Sequence, residues 1–67
     1  MRGNEKKILI LLARFKMSKV DLAKKAGISR QTLSTILSGN RCKPETIGKI
    51  AEALKVDVTE IIDLEEI

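Results

Sequence analysis

The sequence predicts an all-α fold of five short helices joined by tight turns, and three observations carry that prediction. Apolar residues recur at a spacing near 3.6 rather than alternating. The single aromatic residue is Phe15, so the residue types that favour strands are thin. Gly27, Gly39 and Pro44 are the strong breakers, and they divide the chain into helix-sized pieces. No repeat, low-complexity stretch or linker interrupts the 67 residues, which read as one domain, 1–67. A chain this short buries only about 60% of its unfolded surface, so its stability is expected to be marginal.

The first helix is expected from about Glu5 to Phe15. Ser18 then reads as an N-cap with Asp21 three residues on, a shortened capping box. The second helix carries an apolar face of Val20, Leu22, Ala23 and Ala26 and stops at Gly27, which suits a left-handed C-cap. Ser29 caps a third helix running to about Ser38, with Leu33, Ile36 and Leu37 inward, and Gly39 closes it in the same way. Pro44 fits the first turn of a fourth helix, where its missing N–H has no partner in any case. That helix buries Ile47, Ile50, Ala51 and Leu54, and a short fifth helix is expected over about 58–64, carrying Ile61 and Ile62.

Composition narrows the function classes. Histidine is absent and Cys42 is the only cysteine, so no intramolecular disulfide forms and most metal and hydrolase sites lose their usual ligands and bases. No apolar run approaches the ~18 residues of a membrane span. Met1, Arg2, Lys6 and Lys7 lead into the apolar run 8–12, an arrangement similar to a signal peptide. The run is too short, however, and ends at Arg14 and Lys16 without a small-residue cleavage site, so a cytoplasmic location is expected. The net charge of +4 is unevenly spread. Residues 1–43 hold eleven Lys/Arg against Glu5 and Asp21, whereas residues 44–67 hold Lys49 and Lys55 against seven Asp/Glu. A basic half followed by an acidic half points to one face turned toward a polyanion, against the plainer reading of solvated helix faces.

The informative segment lies at about 19–38. Only Gly27, Ile28 and Ser29 separate its two helices, too little chain for an antiparallel hairpin, so the helices must cross steeply as a helix-turn-helix. Ala23 supplies a small side chain at the crossing and Gly27 the positive backbone dihedral of the turn. The outward positions of the second helix are then Arg30, Gln31, Thr32, Ser34, Thr35 and Ser38, all hydrogen-bonding and none acidic. A face meant only for solvent would usually carry acidic residues at a helix N-terminus. Arg30, Gln31 and Thr32 suit phosphates and base edges better than they suit helix stability.

Taken with Met17, Ser18, Asp21, Leu22, Ala23, Ala26 to Ser29, Thr32, Leu33, Ile36 to Gly39, Pro44, Ile50 to Leu54 and Val56, the sequence resembles the Cro/repressor, or Xre-like, helix-turn-helix proteins of phages, plasmids and bacteria. The resemblance covers about residues 8–62. It implies a compact five-helix lambda-repressor-like DNA-binding domain, double-stranded DNA as the partner through its major groove, and a homodimer on a palindromic operator, often paired through the C-terminal helix. It also implies site residues. Arg30, Gln31 and Thr35 match positions that look into the major groove, and Thr32 one that touches a thymine methyl or a phosphate. Arginine can pair bidentately with guanine and glutamine with adenine. Lys19, Ser29, Ser38 and Asn40, with the backbone amides of 40–43, match phosphate contacts, and Arg41 and Lys43 add charge to that loop. One departure stands out. Many members pair an arginine of helix one with a glutamate near the end of helix three, where this chain has Leu12 and Leu37. An apolar pair replaces an ion pair without loss of stability, but binding then leans more on Lys19, Arg41 and Lys43.

Other features keep two readings. Leu9 or Ile10 should lie outside a single core stripe, either as a self-association surface or as a scattered exposed aliphatic. Leu64 and Ile67 extend the pattern of Ile61 and suggest a dimer contact. Cys42 sits between Arg41 and Lys43, a setting for a redox sensor, although an ordinary loop cysteine is the expectation. Gly48 either permits close helix approach or has no role, and Lys55 stands where the family often has glycine. A sequence-specific transcription regulator is the first functional expectation, most simply a repressor that occupies its site. An antitoxin of a toxin–antitoxin pair and a protein-interaction module without DNA binding are the alternatives. No enzyme, metal, cofactor or small-molecule ligand is expected, because no acid–base or nucleophile constellation can be assembled from these residues.

Overall fold

Every helix begins on a residue that takes up N–H groups left without partners at its first turn, or on one that removes such a group. The computed structural model describes residues 1–63, as α1 (Glu5–Arg14), α2 (Lys19–Ala26), α3 (Arg30–Leu37), α4 (Pro44–Leu54) and one 3₁₀ turn, Val58–Glu60. The Asn4 side chain accepts from the Lys7 amide at 3.0 Å and starts α1. Ser18 and Asp21 form the reciprocal capping box of α2, each side chain accepting from the other's backbone N–H at 3.1 Å. Ser29 caps α3. Lys43 gives α4 no side-chain cap, and Pro44 at its first position supplies no N–H to satisfy.

All four helices also end alike. The amides of Met17, Ile28, Asn40 and Val56 reach back to the carbonyls of Leu12, Ala23, Thr35 and Ala51, the six-to-one bond of a Schellman motif. The residue before each of those amides is left-handed, at Lys16 (φ 55), Gly27 (φ 71), Gly39 (φ 88) and Lys55 (φ 57). Two of the four positions are therefore lysine.

The helices bury one continuous aliphatic cluster. Leu22, Leu33, Ile36, Ile47, Ile50 and Leu54 are at most 1% exposed, and among the described residues no polar or charged side chain is buried. Leu12 and Leu37 both belong to this cluster. The inward faces of α3 and α4 agree with the sequence reading. Val20 does not, because it lies 38% exposed at the outer edge of α2. Leu9 and Ile10 are both exposed on α1, at 38% and 59%. A Cβ built at Gly48 meets nothing within 4 Å, so no helix packs closely there.

The expected five-helix count needs correction. Among the described residues beyond α4 the chain makes only the 3₁₀ turn, and after it Ile61 is a turn residue and Ile62 an isolated bridge instead of the expected 58–64 helix. The backbone groups that a helix would use are spent elsewhere: the Ile61 carbonyl accepts from the Asn4 amide at 2.7 Å, and the Asp63 amide donates to the Arg2 carbonyl at 3.2 Å. Ile61 and Ile62 are nevertheless fully buried, as the apolar pattern required. Leu64 and Ile67, and the dimer contact expected of them, lie outside the described residues.

The partner of this tail is an N-terminal strap, residues 1–4, which the sequence reading did not foresee. Gly3 makes an antiparallel bridge with Ile62, and Arg2 makes another with Arg41 in the loop between α3 and α4. The Cys42 amide donates to the Met1 carbonyl at 2.9 Å. Gly3 is buried, and a Cβ there would come within 2.9 Å of the Ile36 side chain. Glycine is required here by lack of space, not by its dihedral angles. Among the described residues no helix is long and apolar enough to cross a membrane.

Candidate nucleic-acid interface

The turn between α2 and α3 sets the orientation of everything that follows. Gly27, at φ 71 and ψ 32, closes α2, and Ser29 returns to extended backbone to cap α3. With Leu33, Ile36 and Leu37 buried, the phase of α3 leaves Arg30, Gln31, Thr32, Ser34, Thr35 and Ser38 exposed. The polar side of this helix therefore faces outward.

Its hydroxyls are ordered by local bonds. Ser29 accepts the Thr32 amide at 3.0 Å and donates its proton to the Thr32 hydroxyl at 2.8 Å. That proton is committed, so Ser29 works first as a cap that orients Thr32. The Thr32 hydroxyl keeps its own proton for an outside acceptor. Thr35 donates to the Gln31 carbonyl and Ser38 to the Ser34 carbonyl, both at 2.9 Å. Each then presents lone pairs outward, and Thr35 also a methyl group. Asn40 is exposed but turned back onto α3: its backbone and side-chain N–H groups both donate to the Thr35 carbonyl, at 3.4 and 3.3 Å. Because the Cys42 amide is taken by Met1, the loop amides of 40 and 42 both serve the fold.

Shallow grooves flank α3 on its two sides. One, of about 460 Å³, is lined by Ser29, Gln31, Thr32, Thr35, Arg41, Lys43 and Thr46. The other, of about 320 Å³, is lined by Lys19, Arg30, Ser34 and Ser38 together with Glu5 and Val20. The structure thus divides the expected site residues: six share the first groove, three share the second, and Asn40 lines neither. Each groove carries two exposed cations on its rim, Arg41 and Lys43 in one and Lys19 and Arg30 in the other. Sequence reasoning missed Thr46 and Glu5 as neighbours of the site. Thr46 lies two positions after Pro44, where a threonine reads as an ordinary first-turn residue. Glu5 reads as an acid suited to the start of α1.

Cys42 is half-buried in the same loop, and burial pushes its thiol up from the ordinary value, with the neighbouring N-terminal amine pulling the other way. The smaller thiolate fraction favours the ordinary loop cysteine over the redox sensor.

Comparison with known proteins places this geometry. The family model of the Cro/C1-type HTH DNA-binding domain matches residues 7–66. Among solved structures, a mutant of hydroxyethylphosphonate dioxygenase aligns with a TM-score of 0.81 at 24% identity, over 94% of this chain and 14% of that one. Phpd with cadmium, complexed with hydroethylphosphonate, aligns with a TM-score of 0.80 at 24% identity over the same shares. At that identity the likeness is one of fold, and this chain spans only 14% of the length of either. No curated protein matches the chain.

Proposed function

Because the chain belongs to the Cro/C1-type HTH DNA-binding domain family, we propose that it is a sequence-specific transcription regulator, a repressor that occupies a palindromic operator as a homodimer. One observation carries this reading. The outward face of α3 is a ridge of hydrogen-bonding side chains without an acid, standing between two grooves that each carry two cations. A ridge of this kind suits the major groove, and its flanks suit the phosphates on either side.

In this reading Arg30, Gln31, Thr32 and Thr35 read base edges, with Arg30 suited to guanine and Gln31 to adenine. Lys19, Arg41 and Lys43 neutralise phosphates and fix register, and Ser38 donates to a phosphate only by giving up its bond to the Ser34 carbonyl. Ser29 and Asn40 act through the residues they hold, Thr32 and the end of α3. A bound domain represses by blocking the polymerase at its site, and two-fold pairing of two copies makes the operator a palindrome. In this reading the chain performs no chemistry of its own, a proposal supported by the lack of histidine and by Glu5 being the only acid among the described residues that line either groove beside α3.

The test is selection of bound sequences from a random duplex pool, followed by titration of variants. Gln31→Ala and Arg30→Ala are expected to weaken the selected site by about 1–3 kcal/mol and to relax base preference at one position each. Lys19→Ala and Lys43→Ala should weaken all duplexes about equally and flatten the salt dependence by about one unit of slope. If the pool yields no preferred sequence, or all four variants bind as the parent does, the reading fails. An asymmetric selected site would remove the homodimer alone.

An antitoxin role is a second reading, and the observation that favours it is the exposure of Leu9, Ile10 and Phe15 on or just after α1, none of which lines either groove beside α3. A toxin held on that surface would leave the α3 face free, and Ile10→Asp would release it without loss of DNA binding.

A further inference from the structure

We propose that Arg2 is an additional phosphate-contacting residue, delivered to the loop between α3 and α4 by the N-terminal strap and acting beside Arg41. The inference rests on the DNA-binding reading above and extends its contact set to a part of the chain far from the helix-turn-helix in sequence.

The argument is one of strand geometry. Arg2 and Arg41 are directly opposed in an antiparallel bridge. Opposed residues of such a pair point their side chains to the same side, with Cβ atoms about 4.5–5.5 Å apart. Successive residues along each segment point to opposite sides. Gly3 fixes which side is which, because a Cβ there would face Ile36, Ile8 and Ile47 in the core. The neighbouring Arg2 must then point away from the core. Cys42 gives the same answer on the other segment, since it packs partly against the core and leaves Arg41 outward. Both arginines are exposed. The Arg41 side lines the groove that also holds Gln31, Thr35 and Lys43. Arg2 does not itself line that groove, but its bridge to Arg41 puts it on the same side of the strand pair.

Two like charges directly opposed across a strand pair destabilise it. A phosphate placed between them turns that repulsion into attraction, and a guanidinium has five N–H donors to offer. Arg2 has an interaction within the fold as well, and a guanidinium with five donors is suited to hold more than one partner. The backbone of the strap is held by the carbonyls of Met1 and Arg2, so exchanging the Arg2 side chain leaves the strap's pairing in place.

The experiment measures binding to a short random-sequence duplex across a range of salt, for the parent, Arg2→Ala, Arg2→Lys and Arg41→Ala. Each lost phosphate contact lowers the slope of log affinity against log salt by about 0.9, which is about a tenfold loss near 0.1 M salt. Arg2→Ala and Arg41→Ala should each show that loss, and Arg2→Lys should keep the parent slope. The slope does not depend on the fraction of protein that is folded, so a merely destabilised variant is recognised by a parent slope with a lowered thermal midpoint. If Arg41→Ala flattens the slope and Arg2→Ala does not, Arg2 is removed from the interface while the DNA-binding reading stands. If neither flattens it, the loop itself leaves the interface and the proposal falls with it. Equal loss in Arg2→Lys and Arg2→Ala would also overturn it, because charge would then not be what Arg2 contributes.

Discussion

Gly3, Gly27 and Gly48 carry the same missing side chain for different physical reasons, and alanine at each should give a different sign or cause of change. At Gly48 an added Cβ meets nothing within 4 Å inside a helix, so Gly48→Ala should stabilise by about 1 kcal/mol. At Gly27 the space is equally open but φ is +71, and the left-handed dihedral should cost Gly27→Ala about 1–2 kcal/mol. At Gly3 the added atom would come within 2.9 Å of the Ile36 Cγ2. That methyl is on a β-branched residue whose rotamer the helix fixes, so it cannot swing aside. Overpacking costs about 1–3 kcal/mol, against about 0.4–1 kcal/mol gained by stiffening the unfolded chain, and Gly3→Ala should destabilise. Urea midpoints at constant slope would check all three. Of these positions the sequence made Gly27 legible, through the short spacing between two caps. Gly3 was not legible, because its constraint comes from Ile36, thirty-three places along the chain.

Among the elements, starts were easier to read than stops. Ser18, Ser29 and Pro44 announce their helices by residue type, and each stands where its type predicts. Gly27 and Gly39 likewise announce two of the four helix ends. Lys16 and Lys55 end the other two in the same left-handed geometry; nothing in Lys16 signals that, and Lys55 is marked only by standing where the family often has glycine. The cost of the dihedral is offset by the six-to-one bond and by burial of the helix it ends. The expected fifth helix failed for a related reason: its apolar pattern was right, but its backbone partners came from the strap. The capping box of α2 gives a pH test. Hydrogen bonds from the Ser18 backbone, then from its side chain, hold the Asp21 carboxyl below its ordinary value. Thr59 does the same for Asp57 at the 3₁₀ turn. A carboxyl depressed in the folded state contributes stability above its unfolded pKa and loses it as pH falls through the folded one. Acidification below about pH 4 should therefore weaken the fold. The stability difference between the parent and Asp21→Asn should shrink over that same interval, as read by urea titration at each pH.

For the molecule as a whole, the charge asymmetry and the outward face of α3 were both present in the sequence, and they made the interface legible down to which helix carries it. What the sequence withheld was how the ten expected site residues divide between two grooves, since that depends on where the loop after α3 folds back. The strap and the tail fix that loop. Ile62 is 1% exposed at the point where they meet, and Ile62→Ala should cost about 2–5 kcal/mol. A domain of this size has only about 3–10 kcal/mol to lose, so thermal scans should find the midpoint of this variant lowered by about 8 °C or more. A parent-like melting curve would mean that the strap and tail do not hold the molecule together.

The bridge between Gly3 and Ile62 also has a topological consequence. Residues 3 and 62 lie side by side, so the span between them could be grafted into a surface loop of a host polypeptide without stretching either junction. The same fold already occurs as 14% of much longer chains, and adjoining ends are the geometry that makes such transplantation inexpensive.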